Sequence, residues 1–126
     1  MEYKTPLASA QGLGSAKTGT GHWWLQRVTA VALIPLSVWM LKLLKMISVA
    51  PYAETIAWLT EPLNTACIAA WTIAVFYHAA LGVQVVIEDY VSTEWLKIVA
   101  VWVNKLVCLF LAGMALLAIF RTISAG

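Results

Sequence analysis

Three long apolar stretches joined by short polar links leave this chain few ways to fold. The most constraining is Pro62 to Ile87, which contains no Asp, Glu, Lys or Arg. It is longer than the roughly 20 residues a helix needs to cross a hydrocarbon core of about 30 Å. At that depth the backbone has no water to bond, so an unpaired segment must close its own hydrogen bonds as a helix. A first stretch runs from about Trp24 to Ile47, with Val28 to Leu41 free of charge, and a third from about Leu96 to Phe120. The expected fold is an all-α membrane protein of three transmembrane helices (about 24–47, 62–88 and 96–120), connected up-down-up. Residues 1–22 form a polar leader and 23–126 the membrane domain.

Composition agrees. Of 126 residues, 62% are hydrophobic and 11% charged, with a mean hydropathy of +0.83, outside the balance of a soluble domain. The net charge is +2, and the basic residues are scattered singly, which excludes a nucleic-acid surface. Tryptophans at Trp23, Trp24 and Trp95 suit the headgroup level, as does Arg27. Lys42 and Lys45 snorkel at the far end of the first span, and Pro35 inside it predicts a kink. Ser48 to Glu61 is too polar to span. There Tyr52, Ile56, Trp58 and Leu59 are expected to lie flat on the membrane.

Soluble-enzyme motifs are missing. No strand precedes Gly12, Gly14, Gly19 and Gly21, so these read as a flexible leader rather than a phosphate loop. Cys67 and Cys108 sit at different depths on different helices, which argues against a disulfide and reads them as packing thiols. The leader has no apolar core for a secretory signal. Its lack of arginine before Arg27 argues for the bacterial inner membrane over a mitochondrial one. The eight lysines and arginines divide as Lys4, Lys17, Arg27, Lys97 and Lys105 on one side and Lys42, Lys45 and Arg121 on the other. The positive-inside rule then puts the N-terminus in the cytoplasm and the C-terminus in the periplasm. Asn104 and Lys105 face protein or snorkel.

His78 is the notable intramembrane group. On a helix His78, Gly82, Val85 and Asp89 share one face, and Asp89 lies roughly 16 Å along the axis from His78. With Asp89 at the surface, His78 is near the bilayer midplane, where an ionisable side chain calls for a function. The bland alternative is a neutral imidazole bonded to a neighbouring helix. Gly82 leaves room for a flat macrocycle or for another helix, and a neutral imidazole in an apolar slot is a standard iron ligand.

The stretch YHAALGVQVVIEDYV (77–91) resembles the second transmembrane helix of the hydrophobic anchor subunits of succinate dehydrogenase. Those subunits carry a haem-ligand histidine, a glycine one turn later and a terminal Asp-Tyr-Val, here His78, Gly82, Asp89, Tyr90 and Val91. GTGHWWLQRVTAV (19–31) is similar to the start of the family's first helix, through His22, Arg27, Thr29 and Ala30. The resemblance implies a membrane subunit that is not an enzyme by itself. It would share a haem b and a ubiquinone site in a complex with a flavoprotein and an iron-sulfur subunit, linking succinate oxidation to quinone reduction. It further implies that His78 is an axial ligand of the haem iron, that Gly82 allows close approach to the haem, that Tyr90 donates to a quinone carbonyl and that Asp89 stands beside it. From position alone, Tyr90 reads first as an aromatic-belt residue, and it is the resemblance that turns the preference to a quinone donor. Arg27 is either a headgroup anchor or a contact to a haem propionate or the quinone site.

A low-spin haem that carries electrons takes two axial ligands, yet only His78 lies at membrane depth. His22 is near the surface, and Met40 and Met114 lie nearer the other side. The second ligand is therefore expected from a second anchor subunit packed against this one. Two other readings fit the same chain. One is a redox-inactive structural or assembly subunit; the other is a small proton-coupled transporter using His78 and Asp89, although no internal repeat points that way.

Overall fold

The computed structural model describes residues 5–12 and 19–125, and among these it contains helices and no strands. A short helix α1 (Pro6–Gln11) precedes α2 (Gly19–Val49), α3 (Tyr52–Leu59), α4 (Pro62–Tyr90) and α5 (Glu94–Ala125). The helices α2, α4 and α5 are the three long and apolar enough to cross a membrane. At 31, 29 and 32 residues each is about 45 Å long, so their ends reach beyond the hydrocarbon core. Gly19, Gly21 and His22 are helical, and α2 begins inside the expected leader. Gly14, Lys4 and Lys17 lie outside the described residues. The helix α2 is continuous through Pro35, whose ring removes one rung of the backbone ladder.

The connections explain the topology. The connector 50–61, which includes α3, and the link Val91–Thr93 are too short to carry the chain back across the membrane, so α4 runs antiparallel to α2 and α5 antiparallel to α4. Pro62 occupies the first turn of α4, where its missing N–H costs nothing. The three spans do not close into a bundle. They form a row, with α4 packed against both α2 and α5, and no Cα of α2 lies within 8 Å of one of α5.

What holds the row together is suited to lipid. Among the described residues the buried apolar ones are Leu43, Ile56, Leu59 and Leu81, and the buried polar ones Thr55, Asn64, Thr72 and Gln84. Lipid tails are as apolar as leucine, so helices there associate through close packing and interhelical hydrogen bonds rather than hydrophobic burial. Trp71 Nε1–H donates to Ser37 Oγ at 3.1 Å, tying α4 to α2. Asn104 Nδ2–H donates to the Ala80 carbonyl at 2.8 Å, tying α5 to α4, so Asn104 faces protein as expected. Lys105 instead turns out, its ammonium 5.6 Å from the Trp102 ring centre. Cys67 and Cys108 are unpaired.

The connector departs from expectation. Of Tyr52, Ile56, Trp58 and Leu59, only Tyr52 is exposed; Ile56 and Leu59 are buried. Trp58 stacks on Trp39 at 5.0 Å, with Lys42 Nζ 5.5 Å from its ring. The last carbonyls of α3 are taken up by the start of α4: Asn64 Nδ2–H donates to Trp58 O at 2.8 Å and Thr65 Oγ1–H to Leu59 O at 2.7 Å. A helix of eight residues is too short to stand alone. It is held by plugging its apolar side into the end of the row, which a membrane-surface helix would not do.

Candidate functional site

The polar residues of α2 and α4 meet in register. On α2, His22, Gln26 and Thr29 follow the i, i+4, i+7 spacing of one helix face. Antiparallel to them, α4 presents Gln84, Gly82 and His78. The crossing is pinned by Thr29 Oγ1, 3.0 Å from His78 Nδ1. His78 is half-buried and close to the middle of the 29 residues of α4. Its other ring nitrogen, Nε2, makes no hydrogen bond among the described residues.

One turn on, a Cβ built at Gly82 would meet Gln26 Nε2 at 3.5 Å, an ordinary contact. The space facing this glycine is therefore bordered by the chain's own α2. Gly82 also lines a groove of about 550 Å³ between α2 and α4, together with His22, Trp23, Gln26, Arg27, Gln84 and Glu88. Arg27 reaches it with its guanidinium 5.4 Å from the Trp23 ring centre. Gln84 is 8% exposed and donates through Nε2–H to Glu88 Oε1 at 2.7 Å. A carboxylate only accepts, so the amide orientation is set, and Gln84 Oε1 is left buried without a partner among the described residues. A second groove of about 590 Å³ runs between α4 and α5 over Ile73, Phe76, Leu109 and Leu116, with His22, Gln84 and Lys105 also on its walls.

The remaining expected residues stand apart from His78. Asp89 and Tyr90 end α4, exposed, and line neither groove; Tyr90 is 85% exposed. Arg27 shares its groove with Glu88, at the same end of the row. Gln26 and Gln84 carried no expected role, although a glutamine inside an apolar run is itself a signal, because lipid gives its amide no partner. Thr29 entered only as part of a motif.

A row of three membrane-spanning helices with a mid-depth histidine and a largely unburied apolar surface defines an integral membrane protein built around an intramembrane polar site. The chain belongs to the family described as the succinate dehydrogenase/fumarate reductase transmembrane subunit, whose profile matches residues 1–120. It is 34% identical over 120 residues to the succinate dehydrogenase hydrophobic membrane anchor subunit of Rickettsia bellii, covering 94% of this chain and 95% of that one. It is also 32% identical over 120 residues to the same subunit of Rickettsia conorii, with the same coverage. Against that of Paracoccus denitrificans it is 34% identical over 91 residues, covering 71% and 70% of the two chains. No solved structure matches.

Proposed function

We propose that this chain is one half of a two-subunit membrane anchor and contributes His78 as an axial ligand to a haem b and Tyr90 as a hydrogen-bond donor to ubiquinone. The complex would include a flavoprotein and an iron-sulfur subunit that oxidise succinate. The observation that carries this reading is His78 itself, an imidazole at mid-span with one ring nitrogen held and the other without a partner among the described residues. Such a group in the membrane is expensive unless it is used. The donor set suits haem rather than a bare ion. No cluster of three or more His, Cys, Asp or Glu side chains capable of holding a metal occurs among the described residues. A macrocycle, by contrast, needs only axial donors from protein.

When bound, such a group supplies one-electron redox chemistry. The chain's own residues supply position and polarity. Thr29 pairs with His78 at one depth, so His22, seven residues earlier on α2, lies about 10 Å nearer the membrane surface. The second axial ligand then belongs to the other anchor subunit, which would cover the exposed faces of this row. At the end of α4 the Tyr90 phenol is open to a quinone carbonyl, and Asp89 stands next to it as a carboxylate able to take up or pass a proton. Arg27, beside Glu88 in the groove, offers a charged fork to a propionate or a quinone oxygen. The positive-inside count favours a cytoplasmic N-terminus, and the leader's lack of arginine favours the bacterial inner membrane.

The test is to isolate the assembled complex in mild detergent, identify the chains that copurify and record a reduced-minus-oxidised spectrum for wild type and His78→Leu. Copurification with the succinate-oxidising subunits and a b-type spectrum lost or severely perturbed in His78→Leu is the expected result. An unchanged spectrum in the variant refutes the ligand role. A complex with no haem in wild type points to a redox-inactive anchor.

A further inference from the structure

The contacts of Thr29 determine more than helix packing. Its hydroxyl has one proton and two lone pairs, and three acceptor-capable atoms surround it: Leu25 O at 2.7 Å, Gln26 O at 3.1 Å and His78 Nδ1 at 3.0 Å. The carbonyl oxygens can only accept. The 2.7 Å separation to Leu25 O is the usual O–H···O length, and the 3.0 Å separation to His78 is the usual N–H···O length. Both are satisfied when Thr29 Oγ1–H donates back to its own helix and His78 Nδ1–H donates to Thr29 Oγ1. The reverse arrangement would leave the oxygen lone pairs of Thr29 facing two carbonyls. It would also leave an Nε2–H in the membrane with no acceptor among the described residues.

We propose that Thr29 is a positioning residue that holds His78 in the Nδ1–H tautomer, so that the Nε2 lone pair is the one offered to iron. This rests on the reading of His78 as an axial ligand. Thr29 is suited to the task because its own proton is committed to the Leu25 carbonyl, which leaves its oxygen as an acceptor. A hydrogen bond accepted from the remote ring nitrogen raises the basicity of the ligating one and fixes the ring's rotation, as it does for histidines at metal sites generally. A more basic imidazole favours the more oxidised metal, so the Thr29 contact should hold the haem potential down.

The experiment compares the intact detergent-solubilised complex in wild type, Thr29→Val, Thr29→Ser and His78→Leu. It reads haem per flavin, haem retention against an excess of apomyoglobin as scavenger, and the haem midpoint potential by equilibrium redox titration. Valine keeps the shape of threonine and removes the acceptor; serine keeps the acceptor. Thr29→Val is expected to retain haem about 10- to 100-fold less tightly and to shift the potential upward, while Thr29→Ser stays with wild type. If Thr29→Val does not assemble, Thr29→Cys replaces it, since a thiol is a weak acceptor, and the same upward shift is expected. Wild-type potential and retention in the valine or cysteine variant, with the spectrum lost in His78→Leu, overturns the role of Thr29 and leaves the ligand intact. Equal loss in Thr29→Val and Thr29→Ser also overturns it, because the hydroxyl is then not what matters. A spectrum that survives His78→Leu removes the ligand and this proposal with it.

Discussion

Replacing Tyr90 by phenylalanine separates the proposed quinone contact from the proposed haem ligand. Tyr90 is 85% exposed and, among the described residues, its hydroxyl makes no hydrogen bond within the chain. Deleting that oxygen therefore removes no contact that holds the fold, and stability should stay within the range of about 0.5 kcal/mol seen for exposed sites. Tyr90 is also about 18 Å along α4 from His78, too far for the substitution to disturb the Thr29 contact. What remains at stake is one neutral hydrogen bond to a quinone carbonyl, worth about 0.5 to 1.5 kcal/mol net, or from roughly twofold to twelvefold in binding. The assay is succinate-dependent quinone reduction by the purified complex. Haem content and succinate oxidation with a soluble artificial acceptor are measured on the same sample. Tyr90→Phe should raise the quinone concentration needed for half-maximal rate by that factor and leave the other two readings unchanged. A drop in kcat well beyond it would mean the hydroxyl also positions or protonates the quinone. Unimpaired quinone reduction refutes the reasoning and returns Tyr90 to an interfacial anchor; parallel loss of all three readings reports failed assembly.

Three further outcomes are expected. The chain expressed alone should hold no stoichiometric low-spin haem, and coexpression with the second anchor subunit should restore it; optical spectra combined with mass determination, to detect a homodimer, check this. Asn104→Leu removes the 2.8 Å donor to Ala80 O but leaves that carbonyl its own helical partner. The cost should be about 0.6 kcal/mol and no more than about 1.7, measured by denaturation in graded SDS. Gly82→Ala places a Cβ 3.5 Å from Gln26 Nε2, with no clash and a helix-propensity gain of up to about 1 kcal/mol, so assembly and thermal stability should hold. Haem loss from a well-assembled Gly82→Ala complex would show that the glycine serves the macrocycle rather than helix packing.

The open row of helices has a consequence for stability. The helix α5 has no buried residue, and Leu109, Phe110 and Phe120 are all about two-thirds exposed. In water such surface would drive aggregation; in lipid it is solvated, and α5 is held mainly through Asn104 and close packing on α4. An anchor assembled this way leaves α4 accessible in the gap between α2 and α5. That arrangement suits the proposal that the central histidine of α4 is shared with a second subunit.

Much of this was legible in the residues. Three apolar runs long enough to cross a bilayer, one of them uncharged throughout, allow only helices, Pro62 marks where one begins, and a lone Asn104 in an apolar run must find a partner on a neighbouring helix. These follow from lipid's inability to satisfy a backbone or an amide, which is a property of each segment by itself. The arrangement was not legible for the same reason. In a membrane both the lipid-facing and the protein-facing sides of a helix are apolar, so periodicity does not say which face packs where. Only the tertiary structure decided that α4 lies in the middle, that Ile56 and Leu59 plug the row instead of lying on the surface, and that Thr29 meets His78. That last contact depends on two helices crossing in one register, set by where a hydroxyl and an imidazole, far apart in the chain, can each find a partner.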